Sequence, residues 1–265
     1  MTDYETLELA YNDPIENVAT LTLKRPKALN AMNLQMVREL SLAVSDLELK
    51  QNELRAVVVT GHGDKAFVAG ADISEMVEMS PPEARNFLYS AQQVLNRLEA
   101  LSLPVIAKIN GYALGGGLEI ALACDIRIAS DNAVVGLPEV SLGLIPAAGG
   151  TQRLTKLVGQ AVSKYLIMTA KRIPAEEALK YFIVSEVVPK DELDQRIMEL
   201  LETFNQLGPI AVNAAKQSIE IALSEKLTPG LEIELSNAME CFQSADLREG
   251  MTAFLEKRKP NFQGK

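Results

Sequence analysis

The sequence predicts an α/β fold, with a mixed core over residues 1–200 followed by a helical section over 201–265. In the first half, short β-branched runs alternate with amphipathic stretches of helical period. Beyond about residue 150 strand patterning nearly stops and helical periodicity takes over. A chain of 265 residues also buries roughly three quarters of its unfolded surface, so it needs no disulfide or metal to stay folded.

The elements follow in order. Val18-Ala19-Thr20-Leu21-Thr22-Leu23 alternates as a half-buried strand. Asn33 is suited to cap a helix running toward Lys50, with Leu34, Val37, Leu40, Val44 and Leu47 at spacings of three or four. Arg55–Thr60 is a continuous apolar run, the pattern of a buried strand. A second helix is expected from near Pro82 to about Leu101, then strands over Pro104–Ile109 and Cys124–Ala129. Further on, only Val184–Val188 reads as extended, while Pro174, Pro209 and Pro229 mark helix starts. The last helices carry Leu231, Ile233, Leu235, Met239 and Phe242 with no sheet of their own. Such a face has to be covered by the core or by a second subunit, so a homo-oligomer is expected. No repeat, low-complexity tract or linker interrupts the chain.

Composition removes several function classes. Hydrophobic residues at 48% and charged residues at 23% are ordinary for a globular protein, which excludes disordered, collagen-like and coiled-coil chains. A formal charge of −9 repels phosphate backbones, so no nucleic-acid partner is expected. Cys124 and Cys241 are far apart and form no CxxC, which fits a reducing, cytoplasmic setting. The acidic start, Met1 to Glu5, has neither the apolar core of a signal peptide nor the arginines of a transit peptide. No apolar run approaches the roughly 18 residues of a membrane span. Any Ser-His-Asp triad or histidine metal site would have to use His62, and Gly61-His62-Gly63 reads as a turn.

Two segments carry unusual physics. In Asn110 to Asp125 a strand ends, Gly115-Gly116-Gly117 follows, and a helical pattern begins. Bare backbone at a helix start offers free N–H donors to an anion or oxyanion, and glycine also serves close helix–strand packing; both readings stand on these residues. The run is not GxGxxG, since Ile120 stands at the last glycine, and no Gly-Lys-Ser/Thr follows. Glu119 lies among Leu118, Ile120, Ala121 and Leu122, where a carboxylate is costly unless paired, solvated or useful. The second segment, Val134 to Leu154, is rich in Gly and Pro and too apolar for a solvated loop; Glu139 is its only acid. Two carboxylates sharing one cleft would titrate apart, supplying a proton donor and a proton acceptor without histidine. A weaker feature, Lys65 to Ile73, again offers small residues for close backbone approach, or a plain turn.

Together these residues resemble the enoyl-CoA hydratase (crotonase) family over nearly the whole chain. The matching stretches are Lys24-Arg25-Pro26-Lys27-Ala28-Leu29-Asn30-Ala31-Met32, Ala69-Gly70-Ala71-Asp72-Ile73, Asn110 through Glu119, and Pro138-Glu139 through Leu154. The resemblance implies a spiral of ββα units, with C-terminal helices that assemble trimers or dimers of trimers. It implies an acyl-CoA thioester substrate and no metal or redox cofactor. The thioester oxygen would lie in an oxyanion hole of the Ala71 and Gly116 amides, beside Glu119 and Glu139. The family's hydratases resemble this chain in carrying both glutamates, which implies syn addition of water to a trans-2-enoyl-CoA to give a (3S)-3-hydroxyacyl-CoA. Glu119 would be the base and Glu139 the proton donor. A double-bond isomerase, a specialised dehydratase and a non-catalytic acyl-CoA-binding subunit are the alternatives. CoA contacts are expected at Lys24, Ala28, Ala69, Asp72 and Ile73, and at Phe254 and Lys257 reaching a neighbour's ligand. Ala147 stands where many relatives have glycine, which bears on acyl-chain preference.

Overall fold

The computed structural model describes residues 4–222 and 224–265. Met1–Asp3, part of the acidic start, lie outside the described residues. The elements are β1 (Leu7–Tyr11), β2 (Val18–Leu23), α1 (Leu34–Lys50), β3 (Ala56–Gly61), β4 (Ala66–Val68), α2 (Ile73–Met76) and α3 (Pro81–Glu99). They continue as β5 (Val105–Ile109), β6 (Tyr112–Leu114), α4 (Gly116–Leu122), β7 (Ile126–Ser130), β8 (Val134–Gly136), α5 (Gly150–Met168), β9 (Arg172–Pro174), α6 (Ala175–Lys180) and β10 (Glu186–Val188). The helices α7 (Leu193–Gln206), α8 (Pro209–Ile221), α9 (Leu227–Gln243) and α10 (Ala245–Glu256) complete the described fold.

Local chemistry accounts for the main boundaries. The Asn33 side chain accepts the Met36 N–H at 2.9 Å and starts α1, whose Val37, Leu40, Val44 and Leu47 are buried as their spacing predicts. Ser80 and Glu83 form a capping box ahead of α3, with Pro81 at its first position. Every residue of β3 is buried, as its uninterrupted apolar run requires.

Two sheets organise the core. The larger has the order β1-β2-β3-β5-β7-β10, parallel except where β1 meets β2. The smaller has the order β4-β6-β8-β9, with β4, β6 and β8 parallel and β9 antiparallel to β8. The pairs β3–β4, β5–β6 and β7–β8 each place one strand in each sheet before the chain turns into a helix. This is the repeated ββα spiral. One face of the large sheet packs against α1 and α3 through residues such as Leu21, Val57, Leu40 and Leu95. The opposite face, with Val58, Ile106 and Ile128, is covered by Leu193, Ile197 and Leu201 of α7. Both faces of a parallel sheet are thus kept from water.

Several elements differ from the sequence expectation. β1 was not expected, and neither was the small sheet, whose strands are three residues long. The 134–154 segment is not one irregular loop: it holds β8, a short 3₁₀ turn over Glu139–Leu142, and the start of α5. Pro229 lies inside the first turn of α9, which begins at Leu227. In α9 no residue is buried, and Leu231, Leu235 and Phe242 are all more than half exposed. Among the described residues no helix is long and apolar enough to cross a membrane.

Candidate active site

The small sheet positions the site. Its parallel strands β4, β6 and β8 end on one edge, and each runs straight into a segment singled out above. From β4 the chain passes to Ala69–Ala71, from β6 to Gly115 and α4, and from β8 to Pro138-Glu139. Segments leaving the carboxyl ends of parallel strands converge on one crevice, the usual ligand position of such sheets. Here the crevice is a cavity of about 210 Å³ lined by Ala69, Ala71, Ile73, Gly116, Glu119 and Glu139, among others.

The backbone exposes two donors to this cavity. Met32 and Ala71 form a parallel bridge, in which the Met32 N–H donates to the Gly70 carbonyl at 2.8 Å and the Asp72 N–H to the Met32 carbonyl at 2.9 Å. The flanking residues make those bonds, so the Ala71 N–H points away from Met32. Gly116 is the first residue of α4, where no carbonyl precedes it in the helix to take its N–H. The glycine run divides its labour. Gly117 serves packing, because a Cβ there would lie 2.0 Å from the Val68 carbonyl oxygen. Gly115 takes φ +51°, and a Cβ there would approach Glu139 Oε1 to 3.1 Å. The packing reading therefore holds at Gly117, while Gly116 opens the helix with its N–H outside the helical hydrogen bonds.

Glu119 does not face water; it is 3% exposed. Its Oε1 accepts the Ala148 N–H at 2.7 Å and the Gly150 N–H at 2.8 Å. Burial raises its pKa, against the pull of those two amides and of the Arg153 charge. Arg153 ties this cradle to α3: it donates to Glu99 at 2.7 Å, to Asn96 at 2.8 Å and to the Ala148 carbonyl at 3.2 Å. Glu139 is held differently. Among the described residues its buried Oε2 has no hydrogen-bond partner. Burial and the nearby Glu119 charge push its carboxyl up to about 7. The two acids share one cavity and burial raises the pKa of both, but Glu119 is fixed by two amides while Glu139 Oε2 has no partner among the described residues, a difference suited to opposite proton-transfer roles.

The expected CoA contacts divide. Ala69 and Ile73 line the cavity. Lys24 is an exposed residue paired with Glu8 at 3.0 Å, and Ala28 ends a 3₁₀ turn over Pro26–Ala28; neither borders the cavity. Asp72 is engaged in structure, accepting from Arg25 at 2.8 Å and from Ser74 at 2.5 Å. Phe254 and Lys257 belong to α10 and its C-cap, outside this cavity. His62 is exposed, its backbone tied to Leu23 and Asn30, and takes no part in the site. Met76, Phe87 and Leu88, which also line the cavity, fall within Ser74 to about Tyr89, where the family resemblance implies the variable helix that shapes the acyl pocket; sequence reasoning missed Met32 and Arg172 in the lining and the role of Arg153. Within that stretch Phe87 is marked out only as the first large residue of the buried α3 stripe Phe87, Ala91, Val94, Leu95 and Leu98. That pattern reads as core.

Comparison with known proteins identifies the family. A family model described as enoyl-CoA hydratase/isomerase matches residues 14–265. A short-chain-enoyl-CoA hydratase of Clostridium acetobutylicum is 48% identical over 242 residues, covering 91% of this chain and 92% of that protein. A crotonyl-CoA hydratase of Syntrophomonas wolfei is 43% identical, covering 93% of this chain and 95% of that protein. The crystal structure of an enoyl-CoA hydratase from Bacillus anthracis superposes with a TM-score of 0.94 at 39% identity, covering 98% of this chain and 100% of the other.

Proposed function

The chain belongs to the enoyl-CoA hydratase/isomerase family, and on that premise we propose how it carries out its reaction. It is an enzyme, an enoyl-CoA hydratase, as its near relatives are. The observation that carries the mechanism is a pair of unlike carboxylates on one cavity, beside two backbone amides free to donate.

The substrate thioester oxygen accepts from the Ala71 and Gly116 N–H groups, which stabilise the negative charge that grows there. Water lies between the two carboxylates. Glu119, with Oε1 fixed by two amides, takes a proton from that water through Oε2 as the oxygen bonds to the β-carbon. The double-bond electrons move to the thioester oxygen as an enolate. Glu139, protonated below about pH 7, gives its proton to the α-carbon. Both acids approach from the same side, so addition is syn and the product is the (3S)-3-hydroxyacyl-CoA. Proton exchange between the acids restores the starting state. Electrons and atoms balance with no cofactor beyond the CoA of the substrate.

The exposed apolar face of α9 and α10 supports a homo-oligomer, a trimer or a dimer of trimers, built by residues 201–265 around the 1–200 core. In that assembly Phe254 and Lys257 would reach a neighbour's CoA, with Lys24, Ala28 and Asp72 near the adenine end. The setting is cytoplasmic acyl-CoA degradation such as β-oxidation. The test is loss of enone absorbance from crotonyl-CoA. The unmodified protein should show it, and Glu139→Gln should lower turnover roughly 10²- to 10⁴-fold. An unchanged rate in that variant would remove Glu139 from the mechanism.

A further inference from the structure

Phe87 occupies a boundary that the mechanism does not use. It is 2% exposed and borders the active-site cavity. It also borders a second opening, an outer groove of about 690 Å³ between α1 and α3, lined by apolar Leu34, Val37 and Leu42 and by polar Arg38, Glu83 and Gln93 among others. Phe87 is the one described residue common to both linings. The reason lies in α3. The helix packs on α1 through Phe87, Ala91, Val94, Leu95 and Leu98, while Glu83, one turn earlier, is exposed. Apolar fill between the helices therefore stops at Phe87, and beyond it the helix pair opens into the groove.

The inner cavity is small. Its volume of about 210 Å³ is less than a third of the outer groove's 690 Å³. The enoyl thioester and the attacking water claim much of that space. What remains is walled by apolar Met76, Leu88, Ile145 and Ala147 besides Phe87. The loop carrying Ala147 is pinned to α3 by the Gln92 side chain, which donates to the Ala147 carbonyl at 2.6 Å.

Building on the hydratase reading, we infer that Phe87 sets the acyl-chain length: its ring ends the acyl pocket and separates it from the outer α1–α3 groove. The protein acts on short enoyl chains because a longer tail meets this ring. Removing the ring joins the two spaces and gives a longer tail room beside Leu34, Val37 and Leu42, the apolar part of a groove that is otherwise polar. Each buried methylene is worth roughly a factor of four in binding, so four more carbons finding room should change the chain preference at least tenfold.

The experiment compares the unmodified protein, Phe87→Ala and Phe87→Leu with butyryl-CoA and octanoyl-CoA by titration calorimetry, and with 2-butenoyl-CoA and 2-octenoyl-CoA as hydration substrates. The unmodified protein should prefer the four-carbon chain. Phe87→Ala should raise the octanoyl-to-butyryl affinity ratio, and the matching kcat/KM ratio, at least tenfold. Phe87→Leu keeps an apolar side chain in the core and guards against an unfolded alanine variant; it should move both ratios in the same direction by less. Adding Ser90→Trp to Phe87→Ala refills the groove and should return the ratio toward its original value. Equal affinity of the unmodified protein for both chains, or unchanged ratios in a folded variant, overturns the inference. Because binding is read without turnover, an absence of hydration with shifted binding ratios overturns the hydratase reading and leaves the wall standing.

Discussion

Glu119 and Glu139 open on the same cavity, yet the chain holds them in opposite ways. Glu119 sits in the first turn of α4 with one oxygen gripped by the Ala148 and Gly150 amides, and Arg153 braces those amides from behind. Glu139 begins a four-residue 3₁₀ turn, and its buried Oε2 finds no partner among the described residues. The first arrangement fixes one carboxylate oxygen with two amides, which offset part of the upward shift that burial causes. The second leaves a carboxyl to be kept neutral by burial and by its neighbour's charge. On the proposed mechanism the doubly hydrogen-bonded Glu119 is the base and the unpartnered Glu139 the acid, a division that neither residue's type announces.

The sharpest way to break this comparison is Glu119→Gln. The amide oxygen of glutamine still accepts both backbone N–H groups, so the cradle and the fold should survive, as circular dichroism would report. The proton acceptor is gone, and turnover of crotonyl-CoA should fall roughly 10²- to 10⁴-fold with little change in KM. A variant that unfolds instead would mean that the charge, rather than the hydrogen-bond geometry, holds the 148–150 loop.

A smaller effect is expected from Arg153→Gln. Its positive charge opposes the upward shift of the Glu119 pKa. Without it, Glu119 should titrate at higher pH, and the acid limb of kcat/KM should move upward, because the base must be ionised to act. Turnover at neutral pH should fall about tenfold, the order expected for a misplaced cradle and a weaker fraction of ionised base. A uniform loss of activity with an unmoved acid limb would reduce Arg153 to a purely structural tie.

Much of the large sheet was legible in the sequence because its strands are long enough to show a period. Val18–Leu23 has the boundaries its alternation predicts, and Arg55–Thr60 differs from β3 by one residue at each end. The small sheet was not legible. Strands of three residues, such as Ala66–Val68 and Val134–Gly136, carry no period, and their pairing is set by contacts distant in sequence. Yet this sheet is what brings residues 71, 116, 119 and 139 to one edge. The candidate acids were visible because a lone carboxylate in apolar surroundings is costly. Their cradle was not, since backbone amides leave no mark in a sequence. Phe87 was not marked out within its stretch for a related reason: at a helix–helix contact a wall residue and a core residue obey the same spacing.

The last contrast is thermodynamic. In the native protein the Glu139 carboxyl titrates near 7, raised from 4.5, whereas the unfolded chain keeps an ordinary value. Below about pH 4.5 both states carry the proton and the site costs nothing. As pH rises through that window the unfolded chain releases its proton first, so native stability falls until about pH 7 and then levels off. The full cost is at most roughly 3 kcal/mol, at about 1.4 kcal/mol for each unit of difference. Glu139→Gln is neutral throughout and escapes this loss. Its stability relative to the unmodified protein, from urea unfolding at pH 5 and pH 8, should therefore improve by about 2 kcal/mol between the two. Burial raises the Glu119 pKa as well, so Glu119→Gln should also gain stability relative to the unmodified protein from pH 5 to pH 8. A relative stability of Glu139→Gln that does not change between pH 5 and pH 8 would mean that the native Glu139 carboxyl titrates as it does in the unfolded chain.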